Sequence, residues 1–254
     1  MCFSGAYSQE TILLRTEFQD VLPKFVISDG VSSGISFEIM KLIERKSRYR
    51  FVYKESLVPL ARVVAGLESG YMDIQIGLQK TPEREAKLVF GPELYSVRLV
   101  AVVPKDSLIG NTVSIRDLIA SRSTVLTPFG TGASSILRAI PGLLVDDQAR
   151  TAEANMEKML SMRGSILIYH DLSLSYLMAK SRYAGLLRVV DIDSSGYAGF
   201  EPLGQFIVYS RSLSGAVVSD LNSLIEKVCR SGELAAITGR YFNSRAAGES
   251  ALIR

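Results

Sequence analysis

Apolar positions along this chain recur in two alternating rhythms. Residues 12–14 form a short apolar strand, and from Gly34 onward Ile35, Ile39, Leu42 and Ile43 fall at i, i+4, i+7 and i+8, the spacing of one helix face. Residues 51–53 read as a second strand. Val63, Val64 and Leu67 then line a helix that stops at Ser69 and Gly70, where glycine accepts the left-handed cap. A third strand is expected over residues 73–77, and residues 97–103 read as a strongly apolar strand ending at Pro104. Strands alternating with helices over short links predict an α/β fold with a mainly parallel sheet covered on both faces. Such sheets bind ligands at the carboxyl ends of their strands.

A second unit with the same grammar begins after Pro104. Ser114 and Asp117 have capping-box spacing, with Asp in place of the usual Glu. A strand over 124–126, a loop over 128–132, a helix from Ala133, a helix bearing Met156, Met159 and Leu160, a strand over 166–169 and a helix from Leu172 follow. A strand over 206–209 and a long helix with Val218, Leu221, Ile225 and Val228 on one face close the chain, and are read as returning to the first lobe. The expected division is therefore 10–103 and 207–254 for lobe 1, and 104–206 for lobe 2. Residues 1–9, small and weakly polar, read as the remnant of a removed export leader or as a disordered terminus, and Cys2 as a candidate for lipid attachment.

With 254 residues, two lobes can each bury a core. The 29 Lys and Arg against 26 Asp and Glu are scattered, which leaves no electrostatic footprint for nucleic acid. Cys2 and Cys229 are far apart and lack C-x-x-C spacing, so neither a zinc ribbon nor a disulfide framework is indicated. Every apolar run is interrupted well short of the roughly 18 residues of a membrane span.

Candidate chemistry clusters at predicted strand ends. Phe129-Gly130-Thr131-Gly132 lies between a strand and a helix, where backbone N–H groups and the Thr131 hydroxyl can face an anionic group; without Gly-Lys-Ser/Thr it is no P-loop. Thr81-Pro82-Glu83-Arg84 follows a strand, and Arg84 offers a planar fork suited to a carboxylate. His170 and Asp171 end another strand, but the only histidine has no evident activated partner, so hydrolase chemistry is unsupported and no catalytic residue is assigned. Asp146 with Asp147, and Asp191 with Asp193, sit in apparent turns, where aspartate ordinarily bonds the backbone.

With these motifs in order, the chain resembles the solute-binding proteins of bacterial polar-amino-acid ABC transporters, which have the two-lobed type II periplasmic binding-protein fold with two hinge crossovers. The resemblance runs from about Ile12 to Phe242. It rests on the ordered segments 34–40, 66–73, 81–84, 90–95 and 129–132 and on the closing Ser231-Gly232-Glu233-Leu234 with Tyr241 and Phe242. It implies crossovers near Val103 to Pro104 and Gly204 to Ile207, and capture of a small amino-acid-like ligand for a membrane permease or a sensor. A monomer in the periplasm is implied, with neither cofactor nor metal. Arg84 and Thr131 would hold the ligand carboxylate and Asp171 its ammonium. Glu17, Phe18, Gln79, Thr81 and Phe129 complete the expected ligand set. Leu22 and Leu60 stand where aromatic walls are common, with Phe18 as a substitute wall, and Gln79 and Lys80 replace small hydroxyl residues. Two other readings stand beside this one: an orphan sensor with a different ligand, which the missing aromatic walls motivate, and a dehydratase-like enzyme using Glu17, Glu201 or His170 as an acid, which the resemblance implies because it includes relatives whose cleft performs dehydration.

Overall fold

The apolar stripes become the inner faces of two α/β lobes in the computed structural model, which describes residues 10–161, 165–179, 182–183 and 185–243. The readings placed on residues 1–9 and on Cys2 lie outside the described residues. The first lobe starts with β1 (Ile12–Arg15), β2 (Phe18–Gln19), the hairpin β3 (Val26–Ser28) and β4 (Val31–Ser33), α1 (Ile35–Lys46), β5 (Tyr49–Val52), β6 (Leu57–Val58) and α2 (Leu60–Glu68). It continues with β7 (Ile74–Gln79), α3 (Pro82–Glu85) and β8 (Val89–Val97). The second lobe follows: β9 (Leu99–Pro104), β10 (Thr112–Ser114), α4 (Ile115–Ala120), β11 (Thr124–Leu126), α5 (Gly132–Arg138), β12 (Leu144–Asp146), α6 (Ala152–Ser161), β13 (Ile166–His170), α7 (Asp171–Met178) and β14 (Leu187–Asp193). The chain then returns through β15 (Leu203–Tyr209), α8 (Gly215–Arg230) and α9 (Glu233–Asn243).

In α1 the stripe Ile35, Ile39, Leu42 and Ile43 is buried against β7 and against α8 and α9. Its N-terminus has no side-chain cap; the first N–H groups donate instead to the Pro23 and Lys24 carbonyls, each at 3.0 Å. This close approach requires Gly34, whose φ is +111°, because a Cβ there would fall 2.5 Å from the Lys24 carbonyl oxygen. The start of α1 thereby fixes the Pro23–Lys24 turn. Gly70, at φ +74°, ends α2 as expected.

The sheet of the second lobe is mainly parallel, with one strand reversed, whereas the three-stranded sheet of the first lobe is antiparallel. The six-stranded sheet of the second lobe runs β10-β14-β9-β13-β11-β12, and β9 is antiparallel to both its neighbours. In the first lobe β15 lies antiparallel between β7 and β8, while β1 pairs with β5 and β2 with β6 in parallel. The reason is topological: the strand that enters the second lobe, β9, and the strand that returns to the first, β15, each run against both of their neighbours. The apolar run read as one strand over 97–103 is two elements. β8, which contains Pro92, is an edge strand of the first lobe, where a missing N–H is tolerated. The chain changes sheet at Arg98, and β9 is wholly a strand of the second sheet, rather than the change falling at Val103 to Pro104. At the return, β15 is in the first sheet from Leu203, four residues before the boundary drawn at 207.

Each lobe has its own core. One cluster centres on β9, β11 and β13 with Leu137, Met156 and Met159; the other joins α1, α8 and α9 with β7 and β15. A smaller cluster packs α2 on β7.

Candidate functional site

The lobes meet where β7 and α3 of the first face the loop after β11 and the end of β13 in the second. Thr81 caps α3, its Oγ1 accepting from the Arg84 N–H at 3.3 Å, which aims the Arg84 side chain back along β7. Buried Arg84 donates from Nη1 to the Gln79 carbonyl at 2.9 Å and from Nη2 across the interface to the Gly130 carbonyl at 3.1 Å. Gln79 projects onto the glycine loop so closely that a Cβ on Gly132 would lie 2.2 Å from its Nε2. Gln79, Thr81, Arg84 and the loop around Thr131 are thus brought together.

The other expected residues are directed differently. Thr131 is an N-cap: its hydroxyl donates to the Pro128 carbonyl at 2.8 Å and accepts from the Ser134 N–H at 3.2 Å. Phe129 is 57% exposed. The Glu17 carboxylate accepts from Arg62 of α2 at 2.9 Å. Phe18 is a core residue of the first lobe, stacked on Phe25 and on Tyr53 at 4.5 and 4.7 Å, so the substitute wall read from the sequence is an internal one. Buried Asp171 is turned to the crossover: Oδ1 accepts from the Arg98 N–H at 3.1 Å and the Leu172 N–H at 2.7 Å, and Oδ2 lies 3.8 Å from the Arg98 guanidinium. Its backbone N–H in turn donates to the Arg98 carbonyl.

The sequence reading missed Lys24. The residue is 5% exposed, and its ammonium donates to the Gly77 carbonyl and, at 2.9 Å, to Gln205 Oε1. Burial, with Arg84 nearby, lowers Lys24 from 10.5 to about 7. His170 is buried and stacked on Tyr169; burial, then the charges of Lys24 and Arg84, bring it down to about 3, so the imidazole is neutral. Burial also lowers Arg84 and raises the Tyr95 and Tyr169 hydroxyls. The one sequence signal for Lys24 was its place two residues after Leu22, a position already singled out.

Beside this cluster lies an interlobe cavity of about 280 Å³, walled by Asp20 and Leu22 of the first lobe and Pro128, Arg150, Tyr169 and Ser173 of the second. That size is near the lower end for small-molecule sites. Asp20 is pushed up by burial and by Glu153. Tyr169 joins the two regions, since it lines the cavity and feels the Arg84 charge.

Of the remaining carboxylate pairs, Asp146, Asp147 and Asp193 are held by neighbouring groups. Asp147 accepts from Ser134 Oγ at 2.5 Å and from Arg138, which holds its carboxyl at about 2; Asp146 pairs with Lys158. Asp193 accepts from the Ser195 N–H. Among the described residues there is no group of three or more His, Cys, Asp or Glu that could hold a metal, and no helix long and apolar enough to cross a membrane.

The model of the family "Bacterial extracellular solute-binding proteins, family 3" matches residues 18–244. No curated protein matches the chain in sequence. Similar solved structures include the substrate-binding protein of an amino acid ABC transporter, with a TM-score of 0.75 and 18% identity over 91% of this chain and 100% of that one. AbpA of Streptococcus pneumoniae, bound to L-arginine, has a TM-score of 0.74 and 17% identity over 93% and 96%. The arginine-, lysine- and histidine-binding protein ArtJ of Geobacillus stearothermophilus has a TM-score of 0.73 and 14% identity over 92% and 96%. At such identities the likeness establishes the two-lobed fold.

Proposed function

Because this chain belongs to family 3 of the bacterial extracellular solute-binding proteins, we propose that it captures a small polar, amino-acid-like ligand between its lobes and presents it to an ABC-transporter permease. Family and fold are those of binding proteins rather than enzymes. In this reading the protein is a periplasmic monomer whose lobes divide at Arg98 and again just before Leu203.

The observation that supports it is Arg84, a buried guanidinium of one lobe bonded to a backbone carbonyl of the other. When the lobes separate, Nη2 loses Gly130 and becomes free to take a ligand carboxylate; closure then buries the new pair in a dry site, where it is strong. Gln79, Thr81 and the Phe129–Gly132 loop frame that position. Asp171 serves the crossover first, by anchoring Arg98, and contacts an ammonium only if the hinge rearranges.

A thermal-shift screen against the twenty amino acids and small carboxylates tests this. A ligand at 100 times its dissociation constant adds about 2.7 kcal/mol of stability, and Arg84→Ala is expected to abolish the shift. If no compound moves the wild-type melting temperature, the proposal fails.

A further inference from the structure

Lys24 and Arg84 lie on one strand end. The carbonyl that takes Lys24 belongs to Gly77 and the one that takes Arg84 to Gln79, two residues apart on β7, roughly 7 Å of strand. Both cations are at least nine-tenths buried, and among the described residues neither has a carboxylate within ion-pair distance. The acids expected in the cleft are engaged elsewhere, Glu17 with Arg62 and Asp171 with Arg98. Hydrogen-bonding capacity is left over: an ammonium has three donors and a guanidinium five, and two of each are used here. Three buried polar atoms of the same neighbourhood, Gln79 Oε1, Gln205 Nε2 and His170 Nε2, have no partner.

We propose that Lys24 joins Arg84 in a seat for negatively charged groups, which selects ligands bearing two carboxylates over neutral or basic amino acids. The selection rests on the cleft-binding reading above and specifies its substrate class. Two like charges confined in a medium of low dielectric repel, and a ligand that brings a compensating pair of carboxylates removes the repulsion while occupying the unused donors. A ligand with a basic side chain would instead add a third positive charge, which is discrimination by repulsion. The lowered value of Lys24 is in keeping with a cation that has no anion beside it. Both ammonium-free dicarboxylates and acidic amino acids fit this chemistry. Asp20, at the cavity wall, is the group that an amino acid's ammonium would face.

Isothermal titration of the full chain at pH 6.5 with succinate, L-glutamate, L-aspartate, L-glutamine and L-arginine provides the test, run on the wild type, Lys24→Met and Lys24→Arg. At least one of the three dicarboxylates is expected to bind about tenfold or more tighter than glutamine and arginine. Lys24→Met should weaken that ligand by about 100-fold and Lys24→Arg by much less. Succinate binding as well as the amino acids would mark the ammonium as dispensable; glutamate or aspartate alone would assign it a contact. Tight arginine or glutamine binding that survives Lys24→Met would overturn the seat but leave solute capture standing. Failure of all five compounds to bind the wild type would overturn this assignment of ligand class, and the broader screen above then decides capture itself. The wild-type ranking alone is decisive should either variant fold poorly, which circular dichroism reports.

Discussion

If Lys24 is a buried cation without an anion, the folded protein should become more stable as that residue loses its proton. Its displacement from 10.5 to about 7 corresponds to roughly 5 kcal/mol held against the folded state when the ammonium is charged. The sign follows from proton counts. Below pH 7 both folded and unfolded states hold the proton, and the full penalty applies. Between 7 and 10.5 the unfolded chain binds more protons than the folded one, so stability rises with pH, at up to about 1.4 kcal/mol per pH unit. From pH 7 to 9.5 the gain amounts to about 3 kcal/mol. Lys24→Met removes this linkage and also leaves the Gly77 carbonyl and Gln205 Oε1 without their donor, at about 1–3 kcal/mol each. At pH 6 the two effects nearly cancel, so the sign of the difference at one pH says little and its slope says much. Urea titrations followed by circular dichroism, at half-unit steps from pH 6 to 9.5, should show the wild type gaining about 3 kcal/mol on the variant. His170 is neutral in the folded protein across this window, so it adds stability only as the unfolded chain's imidazole loses its proton near 6.5, and it does so in both proteins alike. The tyrosines raised by burial begin to matter above the window, equally in both proteins. A wild-type-minus-variant difference that stays flat across the range would refute the burial of a charged Lys24.

Two further outcomes are expected. Gly132→Ala places a methyl group against the Gln79 amide and should cost about 1–3 kcal/mol, while the Gln79→Ala, Gly132→Ala double variant should recover most of it; additive losses in a thermal-unfolding cycle would show that the lobes do not touch there. Asp147→Asn should cost about 1–2 kcal/mol at neutral pH, since the Arg138 partner is half exposed and screened. Because Asp147 is held at about 2, below its ordinary 3.8, its contribution is complete above that ordinary value and is lost as pH falls through 2; an unfolding difference that persists at pH 2 would contradict the pairing.

The helices were legible because their stripes are local: Ile35 to Ile43 and Val218 to Val228 declare their buried faces through spacing alone. The Thr81 and Thr131 caps are just as local, acting within three residues, yet the sequence reading took both side chains for ligand groups. β8 was hidden, since Gly91 and Pro92 interrupt its pattern and only its pairing with β15 makes it a strand. The strand order was hidden as well, because a run such as 99–103 reads alike whether its neighbours run parallel or against it.

What the sequence determined by itself was the α/β alternation, the two-lobed plan and the short motifs, since each depends on residues within one turn, strand or helix of one another. The tertiary structure decided what the motifs face. Arg84 meets Gly130 across 46 positions, Asp171 finds the Arg98 N–H across 73, and Lys24 reaches Gln205 across 181. Charge pairing and burial are properties of neighbours in space: Arg84 meets Gly130 only when the lobes face each other, and Lys24 meets Gln205 only once β15 has returned to the first lobe. For that reason the sequence marks Arg84 as a group that could grip an anion, whereas only the folded cleft sets Lys24 beside it.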